Sequence, residues 1–224
     1  RLIVAEHDLK AKEFYEDYRF YEPDVLLYPA RDLIFFQADV HGNLLTKERM
    51  RVFQALLEEK EVTVITSIAG CMDYLLPLDE IKKQVLYLKN DSVLDVEKLK
   101  QQLVYLGYER SAQVESSGQF SVRGGIIDIF PLTEENPWRI ELWGDEIDSI
   151  RSFDAKSQRC IENLEEIRLY PAAELFLDEK RAAEGLKRIK KEAKETAGPL
   201  REQFKTEEAA RLARHPAEFC EQSK

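Results

Sequence analysis

Hydrophobic residues recur along the chain with two different periods, and the alternation between them sets out the expected elements. Leu2 to Ala5 is a short continuous apolar run of the kind a buried strand shows, Leu9 to Tyr18 has helical spacing, and Val25 to Tyr28 is a second apolar run. Thr46 stands where a helix N-cap would, ahead of a stripe of Met50, Phe53, Leu56 and Leu57. Val62 to Thr66 then reads as a strand buried on both faces. Strand and helix in alternation predict a parallel α/β sheet. From Gln84 the rhythm changes. Val85 to Leu88 is strand-like, Asp95 is placed to cap a helix carrying Val96, Leu99, Leu103 and Leu106, and Gly107 stops it. Tyr108 to Glu115 is expected to return as a strand.

The densest patterning runs from Gly118 to Asp154. Phe120 and Val122 alternate with Gln119, Ser121 and Arg123, the mark of a strand with one buried and one wet face. Gly124-Gly125 interrupts the run, which predicts a bulge or a close backbone approach, and the strand resumes from Ile126 to Phe130. Pro131 ends it. Trp138, Ile140 and Leu142 alternate with Arg139, Glu141 and Trp143 in a further strand. Gly144-Asp145 is a two-residue turn signal, so Glu146 onward is expected to return antiparallel, with a bulge where Ile147, Ile150 and Phe153 break strict alternation. These elements predict a small α+β domain from Gln84 to Tyr170 with a mostly antiparallel sheet. After Pro171 the chain turns helical: Ala182, Leu186, Ile189 and Ala193 share one stripe, Gly198-Pro199 is expected to break the helix, and a further one is expected from Leu200 to Arg214.

Composition narrows what these elements do. The chain has 224 residues, 44% hydrophobic and 34% charged, enough for two globular cores. No apolar run approaches the ~20 residues of a membrane helix. It opens on Arg1 and directly on a strand, without a basic-then-apolar leader, and so reads as a piece of a longer protein. Three cysteines, Cys71, Cys160 and Cys220, have no metal-type spacing, and a reducing, cytoplasmic setting is expected. Thirty-three basic against 43 acidic residues leave a net charge of −10, which repels a phosphate backbone. The basic run Lys187 to Lys194 is interrupted by acids and reads as a solvated helix face.

Motifs for chemistry are absent from the sequence. None of the nine glycines is followed by lysine, so there is no G-x-x-x-x-G-K-[ST] loop to cradle phosphates. There is likewise no G-x-G-x-x-G, no G-x-S-x-G and no H-E-x-x-H. Asp39 beside His41 reads as a loop hydrogen bond rather than a ligand pair, and His7 and His215 have no partners at metal spacing. The expectation is a segment with no catalytic residue, no bound cofactor and no metal.

The string SVRGGIIDIFP, then RIELWGDEIDSIRSFD, SQR and LYPAAE, resembles the module inserted near the N-terminus of bacterial transcription-repair coupling factors (Mfd) and the homologous module of the excision-repair protein UvrB. Arg123-Gly124, Asp128-x-Phe130-Pro131, Gly144-Asp145-Glu146-Ile147 and Asp154-x-x-Ser157-Gln158-Arg159 carry the resemblance in one order, with Gly125 inside it. It is densest from Lys89 to Glu174. Tyr28-Pro29, Phe35 to Asp39 and Glu48-Arg49 also have a family-like context. The resemblance implies an α/β fold in three parts: a degenerate helicase-like parallel body (1–83), an inserted UvrB-like domain (84–170), and a helical C-terminal tail returning to the body (171–224). It implies recruitment of UvrA to stalled RNA polymerase, with ATP, magnesium, DNA and polymerase handled by other parts of an ATP-dependent translocase. A fragment of UvrB or another excision-repair helicase, and a purely structural module, are the competing readings.

For the partner surface the resemblance implies Arg123 and, more weakly, Arg110. Gln119 and Ser121 are expected on the same solvent-facing side as Arg123. Where UvrB has further arginines this chain has Ser117 and Ser121. Two readings of Arg123 stand side by side: a bidentate contact to a partner carboxylate, or an internal pair with Asp128 or Glu141 on neighbouring strands.

Overall fold

The computed structural model describes residues 1–31, 39–176 and 179–202. Residues 1–176 form one compact unit, and residues 177–224 a second.

The first part of the larger unit is a parallel sheet. Strands β1 (Leu2–Ala5), β2 (Val25–Tyr28) and β3 (Thr63–Ser67) lie in the order β1-β3-β2, each parallel to β3. Helix α1 (Asp8–Tyr18) packs Ala11 into a core with Ala5, Val25 and Ile65. His7, unpartnered in the sequence reading, caps it: Nδ1 accepts the Lys10 N–H at 3.1 Å, satisfying one of the orphan amides of the first turn. Helix α2 (Asp39–Leu57) brings Met50, Val52 and Phe53 onto a second core with Tyr28. It begins well before Thr46, so the expected cap lies inside it. Of the expected stripe, Leu56 is exposed, whereas Arg49 is fully buried.

Arg49 reaches inward because its charge is matched there. Nε donates to Glu174 Oε1 (2.7 Å), and Nη1 donates to Asp73 Oδ2 (2.7 Å) and to the Pro29 carbonyl (2.6 Å). The guanidinium also lies 4.1 Å from the Tyr28 ring centroid. Arg31 holds the other Glu174 oxygen at 2.7 Å. Glu174 belongs to the LYPAAE string, so this network ties the segment that follows residue 170 to α2.

Two short helices, α3 (Ile68–Met72) and α4 (Leu78–Lys82), lead to β4 (Leu86–Lys89) and α5 (Val96–Tyr105). Asp95 caps α5 by accepting the Lys98 N–H at 3.1 Å, and Gly107 at φ +88° ends it, both as the sequence indicates. A six-stranded sheet follows: β5 (Glu109–Arg110), β6 (Gln119–Arg123), β7 (Ile126–Ile129), β8 (Trp138–Trp143), β9 (Glu146–Phe153) and β10 (Cys160–Leu164), ordered β10-β9-β8-β7-β6-β5. It is antiparallel except for β5, which runs parallel to β6. Strand β11 (Glu166–Leu169) pairs separately with β4. Leu99, Leu103 and Leu106 of α5 and its cap pack on Phe120, Ile127, Ile129, Ile140, Ile147 and Ile150. Each such fully buried side chain contributes ~1.5–3 kcal/mol.

Two expectations are corrected. The strand expected over Tyr108 to Glu115 is only two residues long. Gly124-Gly125 is a hairpin turn rather than a bulge: Arg123 pairs with Ile126 across it. Gly124 at φ +60° and Gly144 at φ +64° each occupy the first central position of a two-residue turn, where a twist-matched hairpin needs positive φ. The close approach expected there does exist at Gly125, where a Cβ would come within 3.1 Å of the Leu142 carbonyl oxygen. The expected bulge lies between Glu141 and Leu142 in register, which lets Ile147 and Ile150 both face the core.

The second unit holds α6 (Glu179–Glu202), which continues through Gly198-Pro199 instead of breaking there. The remainder of the helix expected from Leu200 to Arg214 falls outside the described residues, as do His215, Cys220 and most of Phe35 to Asp39.

Candidate protein-interaction face

The six-stranded sheet has one face on the core and one turned outward, and register decides what the outer face presents. Ser121 of β6 lies opposite Asp128 of β7, Asp128 opposite Arg139 of β8, and Arg139 opposite Arg151 of β9. The next row is Arg123, Ile126, Glu141 and Ser149. Period-two alternation therefore lays a line of ionisable groups across four strands.

Asp128 is the centre of it and is 1% exposed. Arg139 grips it as a fork, Nε to Oδ1 at 2.7 Å and Nη2 to Oδ2 at 2.9 Å. Arg123 adds a third contact, Nη2 to Oδ2 at 2.7 Å, while its own side chain stays 48% exposed. Arg139 is held from two further directions, and its bond to Asp128 has an electrostatic consequence. Its Nη2 donates to Gln158 Oε1 (2.9 Å), its guanidinium lies 4.4 Å from the Phe153 ring centroid, and the hydrogen bond to Asp128 lifts its pKa above the ordinary arginine value. Glu141 is likewise matched, by Arg151.

The Asp154-x-x-Ser157-Gln158-Arg159 string is the device that presents Gln158. Asp154 Oδ1 accepts the Ser157 N–H at 2.7 Å, and its carbonyl accepts the Gln158 N–H at 2.8 Å. The Asp154 N–H donates to the Arg159 carbonyl at 2.9 Å. The side-chain and backbone hydrogen bonds from Ser157 hold the Asp154 carboxyl below its ordinary range. Gln158 sits at φ +58°, which aims its amide back at Arg139.

Of the residues expected at the partner surface, Arg123 is where the alternation places it and also makes the internal pair with Asp128; Glu141 is not its partner. Ser121 is not solvent-facing. It is buried, and its Oγ donates to the Ala112 carbonyl at 3.2 Å, because the loop after β5 folds over that part of the sheet. Gln119 is spent on the same loop, its Oε1 accepting the Glu115 and Ser116 N–H groups at 3.1 Å each. Arg110 is exposed, but it pairs with Phe120 in register and so lies on the opposite face from Arg123. The structure therefore does not gather Arg110 and Arg123 into one patch. Among the structural positions, Gly124 and Gly144 make the turns, Gly125 the close approach and Asp128 the ionic centre. The Phe130 N–H donates to the Gln119 carbonyl at 2.8 Å, continuing the β6–β7 ladder. Sequence reasoning missed Arg139 as the group that holds Asp128, and Gln158 and Phe153 as the groups that hold Arg139. The available signal was the coincidence of a buried-strand aspartate with an arginine at an outward position of the next strand.

Residues 86–175 match the family described as UvrB interaction domain. The transcription-repair-coupling factor of Bacillus subtilis (strain 168) is 39% identical over 165 residues, 74% of this chain and 14% of that protein. That of Staphylococcus aureus (strain Mu50 / ATCC 700699) is 36% identical over 167 residues, 75% of this chain and 14% of the relative. UvrABC system protein B of Thermosipho africanus (strain TCF52B) is 32% identical over 204 residues, 91% of this chain and 30% of that protein. The chain thus spans less than a third of the length of each of these curated relatives. Residues 86–175 thus belong to the UvrB interaction domain family, and the chain around them is similar to parts of transcription-repair-coupling factors and of UvrABC system protein B.

Proposed function

We propose that this chain is the part of a transcription-repair coupling factor that binds UvrA, and so links stalled transcription to nucleotide excision repair. The observation that carries the reading is Arg123: half-exposed on a rigid sheet, beside a carboxylate that Arg139 already satisfies. An arginine whose internal partner has a second, better-seated arginine is free to turn toward a partner carboxylate without leaving a buried charge unmatched. The family resemblance puts a UvrA-contacting arginine at this position. Ser121 and Gln119 support Arg123 by anchoring the adjoining loop, and the contact is centred on Arg123.

The β1-β3-β2 sheet with α1 and α2 supports the reading of the first eighty or so residues as a helicase-like body, and the domain limits 1–83, 84–170 and 171–224 are part of the same proposal. ATP hydrolysis, DNA translocation and polymerase contact belong, in this reading, to other parts of the parent protein. Titration of the chain with purified UvrA tests the proposal. Binding is expected, and Arg123→Ala should weaken it by ~2 kcal/mol, about thirtyfold. Equal affinities of the two proteins at unchanged fold would remove Arg123 from the contact, and no binding by the unsubstituted chain would refute the function.

A further inference from the structure

The end of the β8–β9 hairpin carries a tryptophan that packs on almost nothing. Trp143 is 83% exposed, and the residue across the hairpin, Glu146, is bridged on its other side by Val93, itself 81% exposed. Alternation along β8 puts Trp143 on the outer face with Arg139 and Glu141. The Leu142 N–H donates to the Gly125 carbonyl at 2.8 Å, so the β6–β7 turn lies alongside this end of β8. A Cβ at Gly124 would meet nothing within 4 Å, and no side chain from that turn covers the indole. Arg123 enters the same turn, and Ile126, partly exposed, leaves it.

A single exposed apolar residue needs no explanation. Here Arg123, Ile126, Trp143 and Val93 succeed one another around two hairpin ends, on a sheet whose turns are both fixed by glycines at positive φ. Of the acids of this face, Asp128 and Glu141 are matched by Arg139 and Arg151; the indole is flanked by the exposed Glu146 carboxylate across its own hairpin, and the Arg123 guanidinium stands at the neighbouring one. Tryptophan and arginine are the side chains most enriched among energetic anchors of interfaces, and a rigid platform loses little entropy on docking.

We infer that Trp143, with Ile126 and Val93 around it, is a second, apolar anchor of the surface that meets UvrA, continuous with Arg123. It fits a partner surface with an apolar recess beside a carboxylate. This rests on the reading of the chain as a UvrA-binding module and extends it to residues on a different hairpin.

The chain has two tryptophans, and Trp138 is buried, so Trp138→Phe leaves Trp143 as the fluorescent reporter. In that variant iodide should quench the indole strongly in the free chain and severalfold less when saturated with purified UvrA. Trp143→Ala should bind UvrA about thirtyfold more weakly while melting at the same temperature as the unsubstituted chain. If the chain binds UvrA, Trp143→Ala binds equally well and iodide still reaches Trp143 in the complex, the second anchor is overturned and the Arg123 contact stands. If the unsubstituted chain does not bind UvrA at all, the proposed function and this anchor both fall. Loss of UvrA binding by Trp143→Ala without protection of the indole would place its effect on the hairpin and overturn direct contact.

Discussion

Replacing Arg139 by alanine is expected to destabilise the protein by about 3 kcal/mol, and replacing Arg123 by less than about 1 kcal/mol, although both contact the same carboxylate. Arg139 supplies two of the three hydrogen bonds to a 1%-exposed Asp128 and is itself only 20% exposed. Removing one partner of a buried ion pair costs ~3–5 kcal/mol, because the other charge stays desolvated. The low end applies here, since Arg123 remains on Oδ2, while the lost contact with the Phe153 ring adds to the cost. Arg123 is half in water, and its loss leaves Asp128 with the fork intact. Urea unfolding of the two variants and the unsubstituted protein decides it, read as the shift in midpoint at constant slope. By heat, about 3 kcal/mol corresponds to ~6–12 °C for a chain of this size. Equal losses for the two variants, or a larger one for Arg123→Ala, would refute the claim that Arg139 is what keeps Asp128 satisfied, and with it the reason Arg123 is free to turn outward.

Gly107→Ala should cost at least about 2 kcal/mol, because φ is +88° and the new Cβ would come within 2.6 Å of the Ala173 Cβ; Gly124→Ala, with open space around it, should cost only the ~1 kcal/mol of its positive φ. Denaturation that finds the two equal would contradict this. Arg49→Ala should lower stability by ~3–5 kcal/mol, as Asp73 and Glu174 lose a fully buried guanidinium, and an unchanged melting temperature would show the network to be idle. Burial and the hydrogen bond to Glu58 push the Tyr170 phenol up to about 12. A raised phenol pKa favours folding while the unfolded tyrosine is still neutral, below pH about 10, and that advantage is lost as the pH climbs from there through about 12. The stability gap between the unsubstituted protein and Tyr170→Phe should therefore narrow over that interval, and a constant gap would count against the assignment.

Local sequence determined the elements whose signals are local. The α5 cap at Asp95 and its stop at Gly107, the β8–β9 hairpin across Gly144-Asp145, and the inward set Phe120, Ile140, Ile147 and Ile150 all follow from period, capping chemistry and turn chemistry between near neighbours. Arg123's outward direction was legible for the same reason. Elsewhere the outcome depended on what lies across the sheet or far along the chain. Gly124-Gly125 has the same composition whether it bulges or turns, and only the pairing of Arg123 with Ile126 makes it a turn. Ser121 occupies an outward position, yet the loop carrying Ala112, Glu115 and Ser116 closes over it, so alternation named the face but not its cover. Asp128 could have been matched by any cation its register brought near, and it is β8 that brings Arg139. Arg49 and Glu174 stand 125 residues apart, a pairing no window of sequence contains. Period and propensity fix direction and element type because they act between adjacent residues; the choice of partner for a charge is an energy of desolvation and distance, which exists only once the chain has folded.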